Sequence, residues 1–323
     1  MPSTLPPPPA ERPPLSGPVD CAGVQPTVVP FSAGIQPPAA ALPAGACDGH
    51  IHVYDSRFPA VPGARLLPPD AAVDDYRQLQ RRTGLQRAVL VTPSTYGADN
   101  RPMLAALRAL GGQARGVAVI DGSESDAHLA QLHAEGVRGV RLNLSLGVGL
   151  HADMLAPLAR RIAPLGWHLQ LLMPADLLAT LADRLADLPV PLVFDHFARL
   201  SPDDAGRHPA HAVVLQLLRA GRAWIKLSGG YLVSPTHSTD DPALDALARS
   251  FIDAAPGRVV WGSDWPHATA TAGLQPLPDD ARQLDRLAHW TGGGERLAQV
   301  LVHNPAALYG FGPLQELQGD TET

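Results

Sequence analysis

Cys47-Asp48-Gly49-His50-Ile51-His52-Val53-Tyr54-Asp55 decides how the rest of the chain is read. Along a strand, successive side chains point to opposite faces, so His50 and His52 share one face and Ile51 and Val53 the other. Thirteen histidines in 323 residues make one His-x-His weak evidence by itself. Its meaning depends on the remainder of the chain.

Seven further apolar runs lie beyond it. They are 87–94 (RAVLVTPS), 114–121 (ARGVAVID), 137–144 (VRGVRLNL), 167–174 (WHLQLLMP), 191–197 (PLVFDHF), 223–229 (AWIKLSG) and 258–267 (RVVWGSDWPH). Near-continuous apolar strands suit a parallel sheet covered on both faces. Amphipathic stretches lie between them, at 74–83, 101–110, 126–134, 153–165, 175–188, 210–220, 242–254 and 279–290, with a terminal helix near 295–301. Asp99 is a suitable N-cap for the helix beginning at Arg101. Eight strand–helix units predict an α/β fold, a (β/α)8 TIM barrel. A doubly wound sheet is the rival, but no glycine-rich nucleotide loop follows the first strand. No Walker loop and no Gly-x-Ser-x-Gly elbow occurs, and Gly292-Gly293-Gly294 reads as a linker between helices.

Two parts are expected: a proline-rich extended arm over 1–44, and a barrel over 45–323 with a terminal helix and a short flexible tail. Thirteen of the 34 prolines fall within residues 1–43. Proline lacks an amide donor and has a fixed φ, so this arm cannot form regular helix or a central strand. Phe31 and Ile35 are expected to anchor its last part. The net charge of −6, without a lysine or arginine run, argues against nucleic acid and anionic membranes as partners. Cys21 and Cys47 make no disulfide framework, and Cys47 reads as a buried thiol. No membrane helix and no signal peptide is evident, so a cytoplasmic setting is expected.

Barrel chemistry sits at the C-terminal ends of the strands. Reading only those ends selects His50 and His52 (strand 1), Arg141 and Asn143 (strand 4), His196 with Arg199 beyond it (strand 6), Ser228 with Tyr231 beyond it (strand 7) and Asp264 (strand 8). Core packing does not choose such a set. Each residue keeps a plainer alternative: His50 and His52 as packed strand residues, Asp264 as a loop cap, His196 held by Asp195 as a structural pair, Arg141 paired to a neighbouring acid, Arg199 solvated. Tyr231 and Ser228 are evenly balanced, and Asn143 suits a bridge to loop backbone. Alternation turns Asp195 toward the helices. His168 belongs to the far end of the barrel, and Lys226, one step below Ser228, to a structural role.

His-x-His on strand 1 with Asp on strand 8 resembles the amidohydrolase superfamily, over about residues 45–311. Metal-binding members take a further ligand from strand 4 or strand 5. Strand 4 here has no Lys, Glu or Asp, and strand 5 has no His at its active end, so a two-metal site is excluded. A single divalent ion such as zinc on His50, His52 and Asp264 stays open; no cofactor is the favoured expectation.

DGHIHVYD, TYGADNRPML, GVRGVRLNLSLGVG, VFDHFARL, VVWGSDWPH and NPAALYGF resemble, more narrowly, the 2-pyrone-4,6-dicarboxylate lactonase family, whose members are metal-independent. The resemblance implies that Asp264 takes a proton from the attacking water. It implies that His50, His52 and His196 polarise the lactone carbonyl, and that Arg141 and Arg199 hold substrate carboxylate. Partial desolvation among rings is expected to raise the Asp264 pKa. Two places depart from the family pattern: Ser145-Leu146-Gly147 where a basic pair stands, and Gly229 to Ser234, closer to galactarolactone isomerases, where an arginine stands.

The expected function is therefore an ester hydrolase (lactonase) acting on a small carboxylated or sugar-acid lactone, as a monomer or small homo-oligomer. A sugar-acid lactone isomerase, a zinc-dependent hydrolase or decarboxylase, and a non-catalytic binding barrel are the alternatives.

Overall fold

A computed structural model describes residues 26–145 and 151–312. Most of the proline-rich arm with Cys21, the Leu146-Gly147 departure and the C-terminal tail lie outside them.

Eight strands form one parallel sheet in chain order: β1 (Cys47–Ile51), β2 (Arg87–Val91), β3 (Ala114–Ala118), β4 (Val137–Asn143), β5 (His168–Leu172), β6 (Leu192–Phe194), β7 (Ala223–Leu227) and β8 (Val259–Trp261). The barrel closes where β8 meets β1. There Asp264 N donates to His50 O at 2.9 Å, and His52 N donates to Trp265 O at 2.8 Å. Glycines make that seam close: a Cβ on Gly262 would lie 2.6 Å from His50 Cβ, and one on Gly49 would lie 2.5 Å from Trp261 O. The β1–β2 register shifts between Asp48 and Ile51, a bulge that re-aims the end of β1.

Helices cover the outside, from α1 (Val73–Thr83), α2 (Arg101–Leu110), α3 (Asp126–Ala134) and α4 (Leu155–Ile162) to the short α5 (Ala175–Thr180) and α6 (Ala182–Ala186). Then come α7 (Pro209–Arg219), α8 (Leu244–Ala254), a single turn α9 (Ala268–Thr271) and α10 (Asp280–Thr291). Gly292 ends α10 at φ 75°, a left-handed position that favours glycine. The chain then continues through α11 (Gly294–Ala298) and a π turn to α12 (Asn304–Tyr309). The cap of α2 differs from expectation: Asn100 occupies the cap position, and Asp99 instead accepts the Arg101 amide at 3.0 Å and pairs with its guanidinium.

Between helices and sheet lies the main apolar core. A second apolar cluster fills the lower barrel, where Cys47, Val89, Val91 and Val117 meet Tyr309 and Phe311. The terminal helix thus seals the bottom, tied by Asn304 Nδ2 to Val259 O at 2.6 Å. His168 sits in that lower region, edge-on to Tyr309.

Residues 26–44 run along the barrel wall. Phe31 packs edge-on to Trp265 at 5.7 Å, and Arg82 donates to Gly34 O at 2.8 Å. Ile35 does not anchor: it is 45% exposed. Among the described residues no helix is long and apolar enough to cross a membrane.

Candidate active site

The C-terminal ends of the strands bring His50, His52, His196 and Asp264 together, each nearly inaccessible to solvent. Asp264 stands just after β8 at φ 69°. Its Oδ2 accepts a hydrogen bond from the Tyr231 hydroxyl at 2.6 Å. Its Oδ1 faces three imidazoles: His50 Nε2 at 3.7 Å, His52 Nε2 at 3.8 Å and His196 Nε2 at 3.7 Å. One carboxylate oxygen is pinned; the other is surrounded by rings.

Each imidazole is oriented from behind. His52 Nδ1 donates to Val91 O at 2.7 Å, which leaves a lone pair on Nε2. His196 Nδ1 bonds Ser228 Oγ at 2.9 Å. His50 Nδ1 accepts from the Lys226 ammonium at 3.2 Å, and His50 Nε2 lies 3.2 Å from His52 Nε2. Burial holds all three rings below the ordinary histidine pKa, His52 at about 4. They are neutral at pH 7.

The Asp264 pKa moves opposite to expectation. Burial opposes its charge, but the surrounding imidazoles and the Tyr231 hydroxyl outweigh that and draw it down to about 2.

Asp195 corrects a second expectation. It does not face the helices; it is fully buried inside the barrel. Gln170 Nε2 donates to its Oδ2 at 3.0 Å, Arg141 Nε reaches the same oxygen at 3.3 Å, and Lys226 Nζ lies 3.5 Å from its Oδ1. The cause is the backbone after β6. Val193 faces the barrel interior and Phe194 the outer core, so alternation carries Asp195 inward. His196 should then point out, but His196, Phe197, Ala198 and Arg199 all adopt left-handed φ of 48–58°. That tight turn swings His196 back into the mouth. Strained non-glycine backbone of this kind gathers at functional sites.

Arg141 is 5% exposed, and its terminal amino groups have no hydrogen-bond partner among the described residues. Arg199 is half-buried on the left-handed turn, likewise with none; burial lowers its pKa and the Asp264 carboxylate opposes that. Asn143 serves backbone: its Oδ1 accepts from Ser145 N at 3.0 Å, and its Nδ2 donates to Ser94 Oγ at 3.0 Å. His267, which follows Asp264 in the sequence, turns away to Asp280 at 3.1 Å.

Sequence reasoning missed Asp195, Gln170 and Tyr54, and placed Lys226 without its partner. Tyr54 is buried beside His52, with ring centroids 6.3 Å apart. Polar residues at inward positions of otherwise apolar strands were the available signal.

Among the described residues, two groups of side chains bring ligand atoms within 4.8 Å of one another: His50, His52 and Asp264, and His50, Asp195 and His196. Three edges of 3.2, 3.7 and 3.8 Å in the first group come near the roughly 3.3–3.5 Å between donors around tetrahedral zinc. Spacing therefore suits an ion; protonation does not. A metal needs the lone pair of His50 Nε2, and an ammonium donating to Nδ1 puts the ring proton on Nε2. Two buried cations, Arg141 and Lys226, already balance Asp195 and Asp264. The residues as arranged do not fit a divalent ion.

Barrel, parallel topology and a mouth built from β1, β6 and β8 define the class, and similarity to known proteins agrees. The amidohydrolase family model matches residues 47–311, so the chain belongs to that family. It is 36% identical to the 2-pyrone-4,6-dicarboxylate hydrolase of Comamonas testosteroni, over 83% of this chain and 91% of that protein. It is 29% identical to the D-galactarolactone isomerase of Agrobacterium fabrum, over 86% and 95%. A crystal structure of an Agrobacterium tumefaciens protein, 29% identical, superposes with a TM-score of 0.77, covering 86% of this chain and all of that one.

Proposed function

We propose that this protein opens the ring of a small anionic lactone by adding water. The observation that carries this is the free Oδ1 of Asp264, surrounded by three neutral imidazoles at 3.7–3.8 Å. In this reading Asp264 Oδ1 takes a proton as the water oxygen bonds to the ester carbonyl carbon. His50 and His196 donate to the oxygen on which negative charge develops. The ring C–O bond then breaks, and the proton on Asp264 passes to the departing ring oxygen. A hydroxyl and a carboxylic acid result, the acid releases its proton to solvent, and there is no net change at Asp264. Tyr231 holds the carboxylate in place, and Ser228 holds His196.

Arg141 and Arg199 bind the substrate carboxylate, since both offer unpaired guanidinium nitrogens at the mouth. Similarity to a dicarboxylate lactone hydrolase supports hydrolysis. A second reading, migration of the ester between hydroxyls of a sugar acid, is favoured by the arginine-free loop carrying Tyr231 and by the isomerase relative. The substrate is small, and the setting is cytoplasmic in this reading.

The test is a panel of carboxylated and sugar-acid lactones followed by proton release, which hydrolysis produces and isomerisation does not. Asp264→Asn should lower kcat by about a hundredfold to ten-thousandfold with the fold intact, the range for a lost general base. Full activity in that variant would remove Asp264 from the role.

A further inference from the structure

Lys226 is a buried group of this site that the proposed reaction leaves without a task. It is fully buried mid-strand in β7 and has two acceptors: Gln170 Oε1 at 2.8 Å and His50 Nδ1 at 3.2 Å. Its charge is balanced by Asp195, 3.5 Å away. An ammonium has donors only, so the nitrogen it meets on His50 must carry the lone pair. The ring proton is then on Nε2, which points to His52 Nε2 at 3.2 Å. His52 can receive it, because its own Nδ1 proton is committed to the Val91 carbonyl. Every hydrogen in the chain Lys226, His50, His52, Val91 has a direction.

The rival arrangement would have His50 Nδ1 donate to Asp195 Oδ1, 3.2 Å away. Among the described residues that oxygen meets the geometry of no hydrogen bond, so it lies off the N–H direction. In the rival tautomer two Nε2 lone pairs would also face each other at 3.2 Å. Such a pair is what a cation recruits.

We propose that Lys226 is a positioning residue that fixes His50 as the Nε2–H tautomer, which puts a proton at the centre of the His50, His52 and Asp264 triad and closes it to divalent metal. Lys226 thus sets which chemistry a metal-shaped cluster performs. Its catalytic consequence rests on the lactone reading; the tautomer and the exclusion of metal do not.

Two measurements decide it without any lactone. The first is nitrogen-15 NMR of wild-type protein labelled at histidine, with His50 assigned by its loss in His50→Gln. The protonated nitrogen of His50 should be Nε2; a proton on Nδ1 overturns the proposal, whatever the variants do. The second is equilibrium dialysis with zinc alone, and cobalt absorption, on wild type and Lys226→Met. The variant should bind zinc about tenfold to a hundredfold more tightly, the size of effect that groups behind metal-binding histidines have. It should also show tetrahedral cobalt bands that vanish in Lys226→Met/Asp264→Asn. Wild-type protein that takes up stoichiometric zinc through Asp264, or a folded Lys226→Met with unchanged affinity, overturns it. A protein inert to every lactone but showing both signatures would leave this inference standing and remove the lactone reading.

Discussion

His50 carries two messages in one ring: Nδ1 reads the cation beneath it, and Nε2 presents the result to the mouth. At this scale the two arginines also separate. Arg141 holds Asp195 as well as facing the mouth, whereas Arg199 has no partner among the described residues. Arg199→Ala should therefore raise KM for an anionic lactone about tenfold to a hundredfold, as loss of one charge-assisted contact does, while leaving Tm unchanged. Arg141→Ala should raise KM and also lower Tm, because it leaves the buried Asp195 carboxylate short of a donor. Steady-state kinetics and thermal melts on the pair check both. That His50, His52, His196 and Asp264 converge was legible from strand ends alone. The direction of the Asp264 pKa was not, because it depends on rings and a hydroxyl brought in from β1, the turn after β6 and the loop after β7.

Among elements, the β8–β1 seam and the turn after β6 do most to shape the site. Gly262 allows β8 to lie against the His50 backbone. Gly262→Ala places a methyl within 2.7 Å of His50 N, and backbone on both sides cannot swing away. We expect a loss of about 1–3 kcal/mol, as for overpacked cores, with activity falling further than stability because His50 itself moves. Denaturant melts and kcat measured together test that order. After β6, four successive left-handed residues reorient His196 and Arg199. Sequence patterning sees neither feature. Left-handed φ without glycine gives no signal in composition, so alternation counted back from His196 mis-assigned Asp195, the residue just before the turn.

The whole molecule buries several histidines that stay neutral, and this governs its response to acid. His52 is lowered to about 4 and His168 to about 3, with burial the first cause; His50 and His196 move the same way. Below pH 6.5 the unfolded chain takes up protons at these positions and the folded chain does not. Stability therefore rises with pH across this window and falls as pH is lowered from about 6.5 toward 4. Buried Asp48, raised to about 7 by desolvation, works in the opposite sense, as do Asp279, raised by desolvation, and His267, raised by Asp280 against the pull of burial. Chemical denaturation at a series of pH values should show the acid-side loss, and replacing His168 by Gln should make it shallower.

Strand count, strand ends, the proline-rich start and the four residues of the mouth follow from the sequence by itself. Each depends on local periodicity, and a barrel gathers all strand ends at one rim whatever else the chain does. The protonation pattern belongs to the tertiary structure. Lys226 and His50 stand 176 positions apart, and only barrel closure sets the ammonium against Nδ1. Sequence names the atoms that could hold a metal. The fold decides which of them carries a proton, because a tautomer is chosen by the neighbour within hydrogen-bonding distance.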